Sequence, residues 1–410
     1  TRYWRDWSSD VCSSDLGGKK MLNRITVFFS FVLSALAFFN TSAQVTISGS
    51  AGVNGSYASL TLAGGAFSAL NTAPSQAGNN IIITVTANLT SETGAIALNE
   101  KDWTTLTILP NGARTISGTV AGGHIINLNG ADNVTINGLN TAGHSLIISN
   151  LSTSPATGTS TIKLERDATG NTITKCSVLG SSTMTAGTNG GNIYFGANAV
   201  TNGSDNNIIS NCDIGPAGVT LPTKGVYSNG TTTSLATYNS NNTITACRIF
   251  DCFGAAVASS GVYISSGSAE FTISNNRIYQ TATRTHTSGV IHAGIQLASS
   301  NISNCNISGN IVGYANGLGT GTYNFIGVGG SKFYPIVISE HAASPATNIQ
   351  GNTVTNISVS GDLSGSSSIS PFAGIMLNSS TYILDTLFVS GNTIGSSATA
   401  GAITFTSSST

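Results

Sequence analysis

Few side chains in this 410-residue chain could do covalent chemistry, and most of those stand alone. The densest charged group is Lys163-Leu164-Glu165-Arg166-Asp167. Glycoside hydrolysis takes two facing carboxylates, and polysaccharide elimination takes carboxylates beside a basic side chain. Lys163, Glu165 and Asp167 are the nearest approach to either, although charges alternating along one short strand more often form a solvated face. Asp213, Arg248 and Arg277 each follow a Cys or Asn by one residue. Stacked in space they would make a structural ion-pair column, or a fork of guanidinium groups for an anionic sugar; structural pairing is the preferred reading. The histidines at 124, 144, 286, 292 and 341 show no metal spacing, and Cys-x-x-Cys is absent. No catalytic residue, metal site or cofactor is assigned.

Binding is better supplied. A short strand recurs in which apolar residues flank one variable position, as in Ile193-Tyr194-Phe195, Val262-Tyr263-Ile264 and Ile295-Gln296-Leu297, with Gly225-Val226-Tyr227-Ser228 as a weaker copy. If successive copies stack, Tyr194, Tyr227 and Tyr263 form an outward aromatic strip about 10 Å long, two steps of about 4.8 Å. Such rings cover the apolar faces of sugars while phenol groups and Gln296 bond their hydroxyls. These four residues are the expected contacts for a polysaccharide or cell-surface glycan. The competing reading has the tyrosines stacked on one another beneath a loop.

The elements that would align them come from a second recurring string: aliphatic, two spacers, Cys or Asn, one spacer, aliphatic. Its Cys/Asn positions are Asn137, Cys176, Cys212, Cys247, Asn276, Cys305, Asn352 and Asn392, at intervals of 29 to 47 residues. A fixed core string at variable spacing means stacked coils with loops of different length. Period-two alternation in runs this short says strand, and Gly or Asn between them supplies positive-φ corners. The expected fold is an all-β parallel β-helix, with the Cys/Asn column turned inward. The five cysteines after residue 43 are expected to be reduced packing residues. Thr172/Thr174, Thr243/Thr245 and Thr353/Thr355 suggest hydroxyl ladders of an ice- or mineral-binding face, which the intervening coils should break.

Residues 1–20 are read as a non-native leader, similar to translated sequencing adapter. Residues 21–43 have the basic start, apolar run and small-residue end of a secretory signal peptide. Residues 44–120 are a cap and first coils, with an amphipathic helix expected within 57–71. Residues 121–410 are the coils, expected to be truncated at their C-terminal end. From Gln44 onward there are 10 Lys/Arg and 13 Asp/Glu, a formal charge of 10 − 13 = −3. With no basic cluster, nucleic acid is not an expected partner. No segment after residue 43 is apolar enough to cross a membrane.

The segments Gly55–Leu60, Leu128–Ile136 and Gly158–Ile162 resemble secreted and cell-surface β-helix repeat proteins of the Bacteroidota kind associated with type IX secretion. That resemblance implies a right-handed helix and an extracellular or surface location, and it is weak for activity. The reading that follows is an exported, non-catalytic β-helix presenting a polar surface for adhesion or glycan binding. The alternative is a polysaccharide lyase or glycoside hydrolase.

Overall fold

The computed structural model describes residues 43–408, except 140–142, 300, 341–345, 365–369, 378–386 and 399–400. The expected leader, most of the expected signal segment and His341 lie outside the described residues.

From residue 98 onward the chain cycles through the same faces in the same order. One turn runs Ser160–Glu165 (sheet II), Thr172–Thr174 (sheet I), Cys176–Gly180 (sheet III), then Gly191–Phe195 back in sheet II. Sheet I has twelve strands and sheets II and III nine each; every pairing between successive coils is parallel. A four-stranded sheet IV joins them in the later coils, through Arg284–Thr285, Tyr323–Gly327, Ile357–Gly361 and Ile403–Ser407. This is a right-handed parallel β-helix.

Aliphatic columns fill the interior. Ile136, Ile173, Ile209, Ile244, Ile273 and Ile307 stack along sheet I, each 1 % exposed or less. Burial of each stabilises by roughly 1.5–3 kcal/mol. Left-handed corners close the turns on either side of sheet I. Lys175, Asn211, Ala246 and Asn275 follow its strands at φ 53 to 57°, while Asn133, Asn206 and Asn241 precede them at φ 52 to 56°.

The inward Cys/Asn column exists, with two corrections to its membership. Ile136 pairs with Ile173, so Asn137 lies opposite Thr174 on the outer face. Ile273 pairs with Ile307, so the column passes through Asn310 rather than Cys305. Cys305 is buried in a separate column with Phe271, on the other edge of sheet I.

Hydrogen bonding explains why Cys and Asn can share one column, as Cys176, Cys212 and Cys247 and then Asn276, Asn310, Asn352 and Asn392. The Asn276 and Asn310 Nδ2 groups donate to the Ile244 and Ile273 carbonyls of the preceding coil, at 2.9 and 2.8 Å. The Cys176, Cys212 and Cys247 thiols sit 3.5 to 3.7 Å from the equivalent carbonyls of Ile136, Ile173 and Ile209. Each thiol lies closer still, at 3.2 to 3.3 Å, to the carbonyl two residues earlier in its own chain, so its single weak S–H is divided between two acceptors where the Asn amide reaches the preceding coil outright. Cys176, Cys212, Cys247, Cys252 and Cys305 are free and buried.

The expected N-terminal helix is shorter than its pattern. Gly55–Tyr57 is a strand, and the Gly64-Gly65 pair delays the helix to Ala66–Thr72. Phe67 and Leu70 pack it against the core of the first coils.

Candidate functional site

The tyrosine column forms in the expected register. Lys163 pairs with Tyr194, then come Tyr227, Tyr263 and Gln296 on successive coils of sheet II. Its exposure corrects the expectation of an open strip: Tyr194 is 5 % and Tyr227 3 % exposed. The loop from Ser181 to Gly190 folds back over sheet II. Tyr227 OH donates to Asn189 Oδ1 at 2.9 Å, and Lys224 Nζ donates to Ala186 O and Thr188 O at 3.0 and 2.6 Å. The same ammonium lies 4.1 Å from the Tyr227 ring centroid and 5.3 Å from that of Tyr263, near the range of a cation–π contact. Tyr194 and Tyr227 rings stack at 5.6 Å. Burial and the Glu165 charge push the Tyr194 hydroxyl up to about 12, and burial lowers Lys224 to about 7. Large rings one coil apart bury one another, and a loop tied by Lys224 covers what remains. Tyr263 and Gln296 are half-buried at the margin of this seam.

The charged groups divide rather than converge. Lys163 Nζ pairs with Glu165 Oε2 at 2.7 Å, and Asn127 and Asn198 amides donate to the same carboxylate. Burial raises the Glu165 pKa, but Lys163 and the amides outweigh it and hold the group below its usual value. Asp167 turns elsewhere, accepting the Val200 and Thr201 N–H groups at 2.8 Å each and the Thr201 hydroxyl at 2.9 Å. In sheet III, Asp213 takes a two-point bond from Arg248 and a contact from His144 Nε2 at 3.2 Å, with Arg277 one coil on. This is the structural ion pair of the preferred reading. The column then continues to Ile311.

Two histidines that the sequence left without a role sit in an aromatic cluster. His292 Nδ1 bonds Ser259 Oγ at 2.8 Å and its Nε2 bonds Tyr323 OH. His286 Nδ1 bonds Ser331 Oγ at 3.1 Å. Burial lowers His292 to about 3 and His286 to about 4, so both are neutral near pH 7. Among the described residues no group of three or more His, Cys, Asp or Glu could hold a metal ion.

The open site is a cleft of about 710 Å³ at the corner between sheets II and I. It crosses four coils, about 14 Å at three strand spacings. Its polar lining comes from Asn99 and Glu100, Asn129 and Asp132, Arg166 and Asp167, and the 200–202 loop that Asp167 holds. Asn129 Nδ2 donates to Asn99 Oδ1 at 2.8 Å. Arg166 and Asp167 both take left-handed backbone, at φ 56 and 68°, and Gly130 opposite has φ 77°. A Cβ on Gly130 would meet Arg166 O at 2.9 Å, so the corner needs glycine. Burial, then the Glu100 and Asp167 charges, raise the Asp132 pKa, against the Thr169 N–H that lowers it. Of these residues, Asp167 alone is a candidate for chemistry from the sequence. Parallel corner strings, Asn129-Gly130-Ala131-Asp132 and Glu165-Arg166-Asp167, were the available signal.

No family model matches this chain, and no curated protein does. Solved β-helix structures are similar to it. An alginate lyase from Paenibacillus sp. str. FPU-7 is 17 % identical, with 80 % of this chain and 95 % of that chain covered and a TM-score of 0.42. PfbA, a surface adhesin of Streptococcus pneumoniae, is 13 % identical, with 78 % and 84 % covered and a TM-score of 0.29. The Dettilon tailspike protein is 16 % identical, with 80 % of this chain and 61 % of that chain covered and a TM-score of 0.33. Among the described residues no helix is long and apolar enough to cross a membrane.

Proposed function

We propose that this chain is an exported β-helix that binds a hydroxyl-rich glycan in the sheet II–sheet I corner cleft and does no chemistry on it. The carrying observation is the lining: amides of Asn99 and Asn129, the Arg166 guanidinium and the Thr201 hydroxyl in one cleft four coils long. Amide and guanidinium groups bond vicinal hydroxyls in pairs. Glu100, Asp132 and Asp167 against Arg166 give the lining a formal charge of 1 − 3 = −2, which disfavours uronates and suits neutral or amino sugars. The secretory pattern at residues 21–43 supports action outside the cell or at its surface, in adhesion.

A hydrolase reading is favoured by one observation, a raised Asp132 beside a lowered Asp167. Against it, both Asp167 oxygens are committed to the 200–202 loop, and Asp132 Oδ1 accepts the Thr169 N–H at 2.7 Å. A glycan array, followed by titration calorimetry of Asn129→Ala and Arg166→Ala, tests the reading. Each variant should lose about tenfold in affinity, roughly 1.4 kcal/mol. Unchanged affinity in both, or release of reducing ends or unsaturated products from the bound glycan, refutes it.

A further inference from the structure

Sheet I carries a surface that the cleft does not use. None of its twelve strands contains a charged residue, whereas Lys163, Lys224, Asp213, Arg248 and Arg277 lie in sheets II and III. One outward column runs Thr107, Thr135, Thr172, Ile208, Thr243, Thr272. A second, two residues along each strand, runs Asn137, Thr174, Ser210, Thr245, Ser274, Ser308. The second column carries the hydroxyl array across the coil expected to interrupt it, and Ile208 is the one apolar residue among the twelve positions named; the first column runs on to exposed Ile82 before Thr107 and exposed Phe388 after Asn348, which bound the polar stretch. Thr353 and Thr355 belong to sheet III and take no part.

The geometry is that of a lattice. Neighbours stand about 4.8 Å apart along the axis and about 6.7 Å apart along a strand, over roughly 34 Å from Thr107 to Asn348. The first column is β-branched at all six positions named, and such side chains are stiff about χ1. In the second, Ser210 Oγ donates to Thr174 Oγ1 and Ser274 Oγ to Thr245 Oγ1, both at 3.0 Å. Among the described residues no loop side chain hydrogen-bonds these hydroxyls. The face is therefore flat, rigid, periodic and uncharged.

We propose that this face binds an uncharged polysaccharide presented as an ordered fibre, laid along the solenoid axis. Nucleic acid and ionic mineral both call for charge that the face lacks. A globular protein partner needs a large anchor in a pocket, and short side chains on a flat sheet offer none. Amides at Asn137, Asn306 and Asn348 stand taller than the threonine rows, which suits paired sugar hydroxyls better than the plane of an ice crystal. Threonine and isoleucine methyls cover sugar C–H faces between them.

The test is depletion of the full chain from solution by microcrystalline cellulose and chitin particles. It is run at low salt and at about 1 M, where screening acts over roughly 3 Å. Retention should be the same at both salts. Thr172→Lys/Thr243→Lys should weaken it at least about tenfold, with folding checked by circular dichroism. Ser274→Lys on the neighbouring column serves if that pair fails to fold. The comparison of native and lysine-substituted sheet I is repeated in an Arg166→Ala background, where the cleft is impaired, so failure of the cleft reading and failure of this one are separable. The proposal is overturned if the native chain is retained by neither particle. It is equally overturned if the lysine variants bind as well as native, or if the chain gives thermal hysteresis of ice growth without particle retention.

Discussion

Replacing Asn310 by alanine should remove about 3–5 kcal/mol from the stability of the coils around it. The side chain is fully buried. Its Oδ1 accepts both the backbone N–H and one Nδ2–H of Asn276, at 3.0 Å each, and its Nδ2 donates to Ile273 O at 2.8 Å and Asn352 Oδ1 at 2.9 Å. Alanine strands two Asn276 donors and takes a donor from the Ile273 carbonyl, while Asn352 Oδ1 keeps the Asn310 backbone N–H. Each buried group left unpaired costs about 1–3 kcal/mol, and three at the low end of that range give the total. Because a solenoid is stabilised coil against coil, the loss should be local. Guanidinium unfolding followed by amide exchange at Asn276 reads both parts: a lower midpoint, and protection lost at Asn276 N–H before the distant coils. Asn310→Cys should recover about 1 kcal/mol, since a thiol there would face Ile273 O as Cys212 faces Ile173 O. A loss under about 1 kcal/mol for alanine, with Asn276 still protected, would refute the ladder as a stabilising element.

Two other perturbations probe the buried seams. Tyr227→Ala should lower stability by about 3 kcal/mol, as for a large core aromatic, and leave glycan binding in the corner cleft unaltered; weakened binding with unchanged melting would restore the open tyrosine strip. Acid should destabilise the chain through His286 and His292, whose native values of about 4 and about 3 lie below the ordinary 6.5. Between those values the unfolded chain binds more protons, so stability falls as pH drops below about 6.5, by on the order of 2–3 kcal/mol per ring at pH 4.5. His292→Phe should flatten that slope in guanidinium midpoints measured from pH 7 to pH 4.5, and an unchanged slope would count against a neutral buried ring.

The architecture was legible because strand period, inward aliphatics and left-handed corners all repeat in the sequence. Register was less so, and for a specific reason. The string of aliphatic, Cys or Asn, and aliphatic also fits Val134-Asn137-Leu139 and Ile302-Cys305-Ile307, where strand alternation reproduces it out of frame. In the structure the frame is held by the Ile136–Ile173 and Ile273–Ile307 pairs. The corner cleft is not legible in the sequence because its lining comes from four segments about thirty to forty residues apart, two or three residues from each. Burial of Tyr227 was hidden as well. The covering loop is Ser, Thr, Gly and Asn with a single alanine and a single methionine, and nothing in that composition announces that it lies on aromatic rings.

The same loop lengths explain why one face is sealed and another open. Chain passing from sheet I to sheet III does so almost directly, through Lys175 alone in one coil and Asn211-Cys212 in the next. Apart from residues 138–145 between sheets I and III, the longer insertions fall between sheets III and II, as from Ser181 to Gly190, and between sheets II and I, as from Gly196 to Asn207. A loop leaving sheet III reaches the outside of sheet II, where Lys224 and the tyrosines give it carbonyl and ring partners. Sheet I offers no comparable anchor between Thr135 and Ser308, where its outward residues are short and uncharged and two pairs, Ser210–Thr174 and Ser274–Thr245, bond along their own column. Residues that could hold a loop recruit one and are buried by it. The plain Thr, Ser and Asn rows hold none and remain available to a partner.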